Sequence, residues 1–184
     1  MTVPNIITMI RILLAPIFII YVINGQLLTG LVVLIICGIS DGVDGMVARL
    51  FNQKSKLGTW LDPLADKIIL VSAFFSLGIE GFLPPWLTVV VISRDLLILT
   101  GIVIIYLTGI ELNIKPVFIS KITTCFQFVT VIAVLAETSL TFMEGKYIYL
   151  YYLTALLTIV SFLQYLYQWL KMMGDKSDTL SPDH

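Results

Sequence analysis

The sequence predicts an all-α integral membrane protein, a bundle of six transmembrane helices with a polar cavity facing the cytoplasm. Three observations carry that prediction. Of 184 residues, 58% are hydrophobic and only 12% are charged, about half the charged share of an ordinary soluble domain. The mean hydropathy is +0.99. Six mostly apolar stretches follow one another with short links, at 3–23, 27–49, 58–78, 84–108, 116–136 and 147–170, each near the roughly 20 residues that span a bilayer. The chain, 1–184, therefore reads as a single membrane domain without room for a soluble one. A polar tail at about 174–184 is expected to be disordered.

The first stretch opens with Pro4, which suits an early helical turn because it lacks the donor that would be orphaned there. Asn5, Thr8 and Arg11 follow at three-residue spacing and make a polar stripe. Either Arg11 snorkels to the headgroups or the stripe lines a cavity. No small-residue cleavage site follows a charged start, so the segment reads as a mature first helix and not as a signal peptide. The second stretch is apolar until Ser40, and its last turns carry Asp41, Asp44, Gly45, Ala48 and Arg49. Gly45 and Ala48 keep bulk away from the acids, in phase with them. The third begins after Gly58 and places Asp62 and Asp66 in its first turns. The helix dipole favours an acid there, which explains one of the pair but not the matching pair on the helix before.

Phe82 to Trp86 form an outer turn with an aromatic anchor ahead of the fourth stretch, which carries Arg94-Asp95 inside an apolar run. Neighbouring helical residues point about 100° apart, so each is expected to find its own partner. Arg94 is either half of an ion pair with a neighbouring helix or a phosphate clamp. In the fifth stretch Lys121 either snorkels or adds a second positive charge. Tyr147–Tyr152 read as an interfacial belt on the outer side. Cys37 and Cys125 sit in apolar helices without metal-ligand spacing and read as packing residues.

The only histidine is His184, so Ser-His-Asp chemistry is excluded in practice. No long-period repeat and no glycine-rich phosphate loop is present, and nothing indicates a nucleic-acid partner. One set of links and ends holds Arg49, Lys54, Lys56, Lys115, Lys171 and Lys176, while the opposite set holds only Lys146. Positive charge collects on the cytoplasmic side, so both termini and the aspartate-flanked link are expected there, in a bacterial inner membrane.

Asp41 and Asp44 are three apart and Asp62 and Asp66 four apart, spacings that put each pair on one helix face. Two helices joined by a short basic link are expected to be antiparallel neighbours with the pairs facing. Four converging carboxylates raise one another's pKa, and hard divalent cations with oxygen ligands resolve the conflict. Flanked by Arg49, Arg94 and Lys121, such a cluster suits a diphosphate substrate. Two ions about 3.5–4 Å apart would bridge phosphate oxygens, and an acid not fully committed to metal would take a proton from an attacking hydroxyl. The chemistry is metal-assisted transfer of a phosphorus-containing group at the membrane surface.

The run Asp41-Gly42-Val43-Asp44-Gly45-Met46-Val47-Ala48-Arg49, then eight residues, Gly58, three residues, Asp62, three residues and Asp66 resembles the full signature of the CDP-alcohol phosphatidyltransferases. The likeness extends over nearly the whole chain, through six helices and an N-terminal Pro4-Asn5 followed by Arg11. It implies that Asp41, Asp44, Asp62 and Asp66 bind two Mg²⁺ or Mn²⁺ ions and that Asp66 is also the general base. It further implies that Asn5, Gly45, Ala48, Arg49 and Gly58 hold the nucleotide of CDP-diacylglycerol, that CMP leaves, and that the protein is a homodimer. The segment from Ile92 to Asp95 and the run from Ser120 to Gln127 look like the bacterial phosphatidylglycerophosphate synthases, in which basic residues such as Arg94 and Lys121 would bind the phosphate of glycerol 3-phosphate. The run from Lys115 to Lys121 also looks like the CMP-forming cardiolipin synthases, whose acceptor is phosphatidylglycerol. Synthases of this kind often read Gly-Lys and Arg-Glu where this chain has Ser120-Lys121 and Arg94-Asp95. Glycerol 3-phosphate is the expected acceptor, with phosphatidylglycerol the alternative. A cation-coupled transporter is the remote reading from another class, opposed by acids on two helices only and no second copy of them. A non-catalytic scaffold is opposed by the intact set of four.

Overall fold

Apolar runs of this length close their backbone hydrogen bonds within themselves, and the computed structural model forms a helix from each. It describes the backbone of residues 3–50, 56–107, 118–140 and 147–179, with side chains at 8–40, 65, 67–101, 119–137 and 147–170. Among the described residues there are six helices and no strand: α1 (Val3–Ile23), α2 (Leu27–Leu50), α3 (Lys56–Ile79), α4 (Pro85–Leu107), α5 (Phe118–Leu140) and α6 (Ile148–Thr179). The bounds of α1 are those the sequence predicts. α6 departs most, its backbone running past Gly174 to Thr179, beyond the apolar stretch that ends at 170. One glycine costs a helix only about 1 kcal/mol relative to alanine, and no proline intervenes before Pro182.

The helices pack in a closed ring. α1 packs on α2, α2 on α5, α5 on α6, α6 on α4, α4 on α3 and α3 back on α1, with a further contact between α3 and α5. α2 and α3, consecutive in sequence, share α1 as a common neighbour and do not pack closely on each other among the described residues, a correction of the expectation that they are direct neighbours. Phe18, Leu34, Phe74, Leu77, Leu87 and Leu135 are fully buried where these faces meet.

Two turns are built alike. Gly25 and Gly81 have φ of 72° and 78°, the left-handed region that costs any residue with a Cβ. After α1, Gln26 N–H donates to Tyr21 C=O and Gly25 N–H to Val22 C=O; after α3, Phe82 N–H donates to Leu77 C=O and Gly81 N–H to Gly78 C=O. Both patterns are the Schellman ending, which satisfies carbonyls that a helix end would leave open. At the same end Trp86 of α4 stacks on Tyr152 of α6, with ring centroids 5.5 Å apart, so the two aromatic groups read as separate anchors form one contact.

α5 and α6 are joined by a buried polar seam. Thr130 and Thr154 hydroxyls lie 2.7 Å apart, Gln127 Nε2 donates to Thr158 Oγ1 at 3.2 Å, and Thr123 Oγ1 donates across to Leu157 C=O at 3.0 Å. Outward faces carry large apolar side chains such as Leu13, Ile20, Val89 and Leu163. Among the described residues, Ile119–Glu137 and Ile148–Leu170 are long and apolar enough to cross a membrane, and Thr8–Ile23, Leu27–Ser40 and Lys67–Ile79 are shorter apolar stretches.

Candidate functional site

A cavity of about 620 Å³ opens where α1, α2, α3 and α5 meet. α1 contributes Arg11, α2 contributes Cys37 and Gly38, and α3 contributes Ile69 and Leu70. From α5 come Ser120, Lys121, Thr124, Cys125 and Phe128, a single stripe at three- and four-residue spacing. Among the described lining residues the charged ones are Arg11, buried at 1% exposure, and Lys121, which is exposed, and both are positive. Of the two readings of Arg11, lining a cavity is the one the structure realises. Cys125, read from sequence as a packing residue, is exposed, while Cys37 is buried.

Beside the cavity lies a charged cluster that ties four helices together. Arg94 and Asp95 are 3% and 6% exposed. Arg94 Nη1 meets Asp95 Oδ1 at 2.6 Å, correcting the expectation that these neighbours need different partners. Their Cα–Cβ bonds diverge, but the long arginine arm folds back along the helix. Lys67 of α3 reaches the same Asp95 oxygen at 2.6 Å, so the ion pair with a neighbouring helix is present too. Arg94 Nη2 donates to Ser120 of α5 at 2.8 Å and to Ser161 of α6 at 2.6 Å. One carboxylate thus faces two cations in a buried setting. Asp95 Oδ2 and Arg94 Nε have no hydrogen-bond partner among the described residues.

Of the two residues expected on the acceptor phosphate, Lys121 lines the large cavity and Arg94 lines a separate one of about 120 Å³ with Leu97, Thr158 and Phe162. Ser120 connects them, being a lining residue of the first cavity and a hydrogen-bond partner of Arg94. Asn5 lies on the α1 backbone, Asp41, Asp44, Gly45, Ala48 and Arg49 on α2, and Gly58, Asp62 and Asp66 on α3. The side chains of all nine lie outside the described residues, as does His184. Among the described residues no group of three or more metal-ligating side chains occurs. Sequence reasoning assigned no role to Gly38, Phe128, Thr130, Thr154, Thr158 and Ser161, and it marked Thr123, Thr124 and Gln127 only as part of the run from Ser120 to Gln127. The seam had a legible signal: 123, 127, 130 and 154, 158, 161 repeat one spacing of four then three, a single face on each helix.

Residues 1–171 match the family model for CDP-alcohol phosphatidyltransferase. Among curated relatives, a probable cardiolipin synthase (CMP-forming) of Drosophila melanogaster is 33% identical over 182 residues, covering 90% of this chain and 56% of the relative. A human cardiolipin synthase (CMP-forming) is 33% identical over 184 residues, covering 89% and 60%. A CDP-diacylglycerol–glycerol-3-phosphate 3-phosphatidyltransferase of Aquifex aeolicus is 32% identical over 139 residues, covering 73% and 75%. The chain spans 54–60% of the length of the animal cardiolipin synthases it matches.

Proposed function

Because the chain belongs to the CDP-alcohol phosphatidyltransferase family, we propose that it transfers the phosphatidyl group of CDP-diacylglycerol to an alcohol bearing a glycerol-phosphate unit and releases CMP. The observation that carries this reading is a matter of register. Cys37 and Gly38 of the cavity wall precede Asp41 by four and three residues, and Ile69 and Leu70 follow Asp66 by three and four. Helix periodicity therefore continues two walls of the cavity into the two aspartate pairs.

The donor set fits the ions the family implies: four carboxylates and no softer ligand suit hard Mg²⁺ or Mn²⁺. Asp41, Asp44, Asp62 and Asp66 would hold them, and the bound ions would neutralise charge on the diphosphate. Asn5, Gly45, Ala48, Arg49 and Gly58 would seat the nucleotide. The acceptor oxygen forms a bond to the lipid-side phosphorus while the bond from phosphorus to the bridging oxygen breaks, CMP leaving with that electron pair. Asp66 takes the hydroxyl proton. Lys121, with Arg94 holding Ser120 beside it, would bind the acceptor phosphate.

Phosphatidylglycerol is the acceptor better supported. The cavity pairs two cations with apolar walls, Cys125 is exposed partway along the apolar α5, and the first two relatives above are named cardiolipin synthases. Glycerol 3-phosphate stands second, supported by the Aquifex relative, which aligns over similar shares of both chains. The reading takes all six helices across the bilayer of a bacterial inner membrane, both ends and the 51–55 link cytoplasmic, and pairs two copies. Support for the first part is the apolar outer surface and the lysine and arginine distribution. The test is direct. Purified protein in detergent receives CDP-diacylglycerol and Mg²⁺ with phosphatidylglycerol, glycerol 3-phosphate or neither, and CMP and the lipid product are identified by mass. CMP release only with an acceptor and metal is expected; no release with either acceptor ends the proposal.

A further inference from the structure

Two residues that line the large cavity meet in a contact between helices that no residue of the transfer chemistry explains. Phe128 is the lining residue furthest from the start of α5 at Phe118. Gly38 faces it from α2, about three turns before that helix ends. A Cβ built on Gly38 would stand 3.0 and 3.2 Å from atoms of the Phe128 ring. A side chain at position 38 therefore requires the half-buried ring to give by a few tenths of an ångström, which changes the shape of the cavity that both residues line.

The surroundings give that contact a meaning. Among the described lining residues Cys37, Ile69, Leu70 and Phe128 offer surfaces that suit hydrocarbon, while Arg11 and Lys121 in the same cavity suit a phosphate. Apolar walls with a few placed charges, in about 620 Å³, match a ligand pocket of ordinary size, and the ligand having both parts is a phospholipid. The geometry points to the Gly38–Phe128 contact as the floor of an acyl-chain site: a fatty acyl chain of a phospholipid lies against the apolar walls, and the ring position sets how much chain is accepted. The proposed phosphatidyl transfer supplies the identity of the lipids; the cavity stands without it. The chain belongs to either the donor or the acceptor, and the experiment separates the two.

Full-length protein in detergent with Mg²⁺ is assayed by mass of the lipid product, varying acyl length first on CDP-diacylglycerol and then on phosphatidylglycerol. Gly38→Ala should move the preference to shorter chains, lowering kcat/KM for long relative to short by about tenfold. Phe128→Leu and Phe128→Ala should move it to longer chains, and Gly38→Ala with Phe128→Ala should return towards wild type. The arm that responds names the lipid whose chain enters. Profiles unchanged in both arms, in variants that keep activity, overturn the floor. A second readout needs no turnover. Cys125 is exposed and one turn from Phe128, and its alkylation by N-ethylmaleimide should be slowed by phospholipid in a chain-length-dependent way that shifts likewise in the variants. Protection indifferent to chain length in wild type and variants also overturns it. Chain-length-dependent protection in a protein that releases no CMP would keep the acyl site and remove the transferase reading.

Discussion

The two ends of the helix ring are built on different principles. At the end closed by Gly25 and Gly81, matched Schellman turns satisfy the helix carbonyls locally, and Trp86 stacks on Tyr152. Little there is left for a ligand to complete. Towards the other end, Arg11, Lys121 and Ser120 surround open space, and the buried Arg94–Asp95–Lys67 cluster leaves Asp95 Oδ2 and Arg94 Nε without hydrogen bonds among the described residues. A buried polar atom without a partner costs about 1–3 kcal/mol. The contrast teaches where to look for function: the end closed by its own turns sets the shape, and the end whose polar groups are incompletely matched among the described residues is the one where the proposed substrate would bind.

Substitutions should separate the two ends. The largest effect is expected from Asp66→Asn on α3: CMP release should fall by about 10²–10⁴-fold while thermal unfolding in detergent stays where it was. A melting shift as large as the loss of rate would make Asp66 a structural residue. Arg94→Ala should affect both properties, because removing one partner of a buried pair costs about 3–5 kcal/mol. The double variant Arg94→Met with Asp95→Leu, which removes both charges, should recover most of the melting temperature but not the rate. Gly81→Ala should cost about 1–2 kcal/mol of stability through its positive φ, with kcat/KM unchanged. Thr130→Val should cost least, about 0.6 kcal/mol for one hydrogen bond between helices in a membrane, again read by unfolding alone. Altered acceptor kinetics in Gly81→Ala would break the division between the ends.

Most of the helix framework was legible in the sequence, because an apolar run and its flanking Gly, Pro and charged residues are local facts. Pro4 and Gly25 bracket α1, and α1 falls where they put it. The end of α6 was not legible, since Gly174 marks a stop only when the following residues cannot continue the helix. The acidic motif could be read because its chemistry resides in spacing. The cavity could not, because nothing local says that the Phe128 ring rests on Gly38, ninety residues earlier. Arg94 lies between: its burial and ion pair were one of two readings, and the third dimension added Ser120 and Ser161. Arg11 was decided the same way, by a cavity assembled from four helices.

That α1 packs against both α2 and α3 has a consequence for biogenesis. Of these six helices it leaves the ribosome first, yet the helices that cover Thr8 and Arg11, 0% and 1% exposed in the finished fold, are made after it. In the proposed six-span topology, an arginine-bearing segment is then expected to wait at the insertion machinery or at the headgroup layer until its partners are made, and release of α1 into lipid would follow the translation of α3.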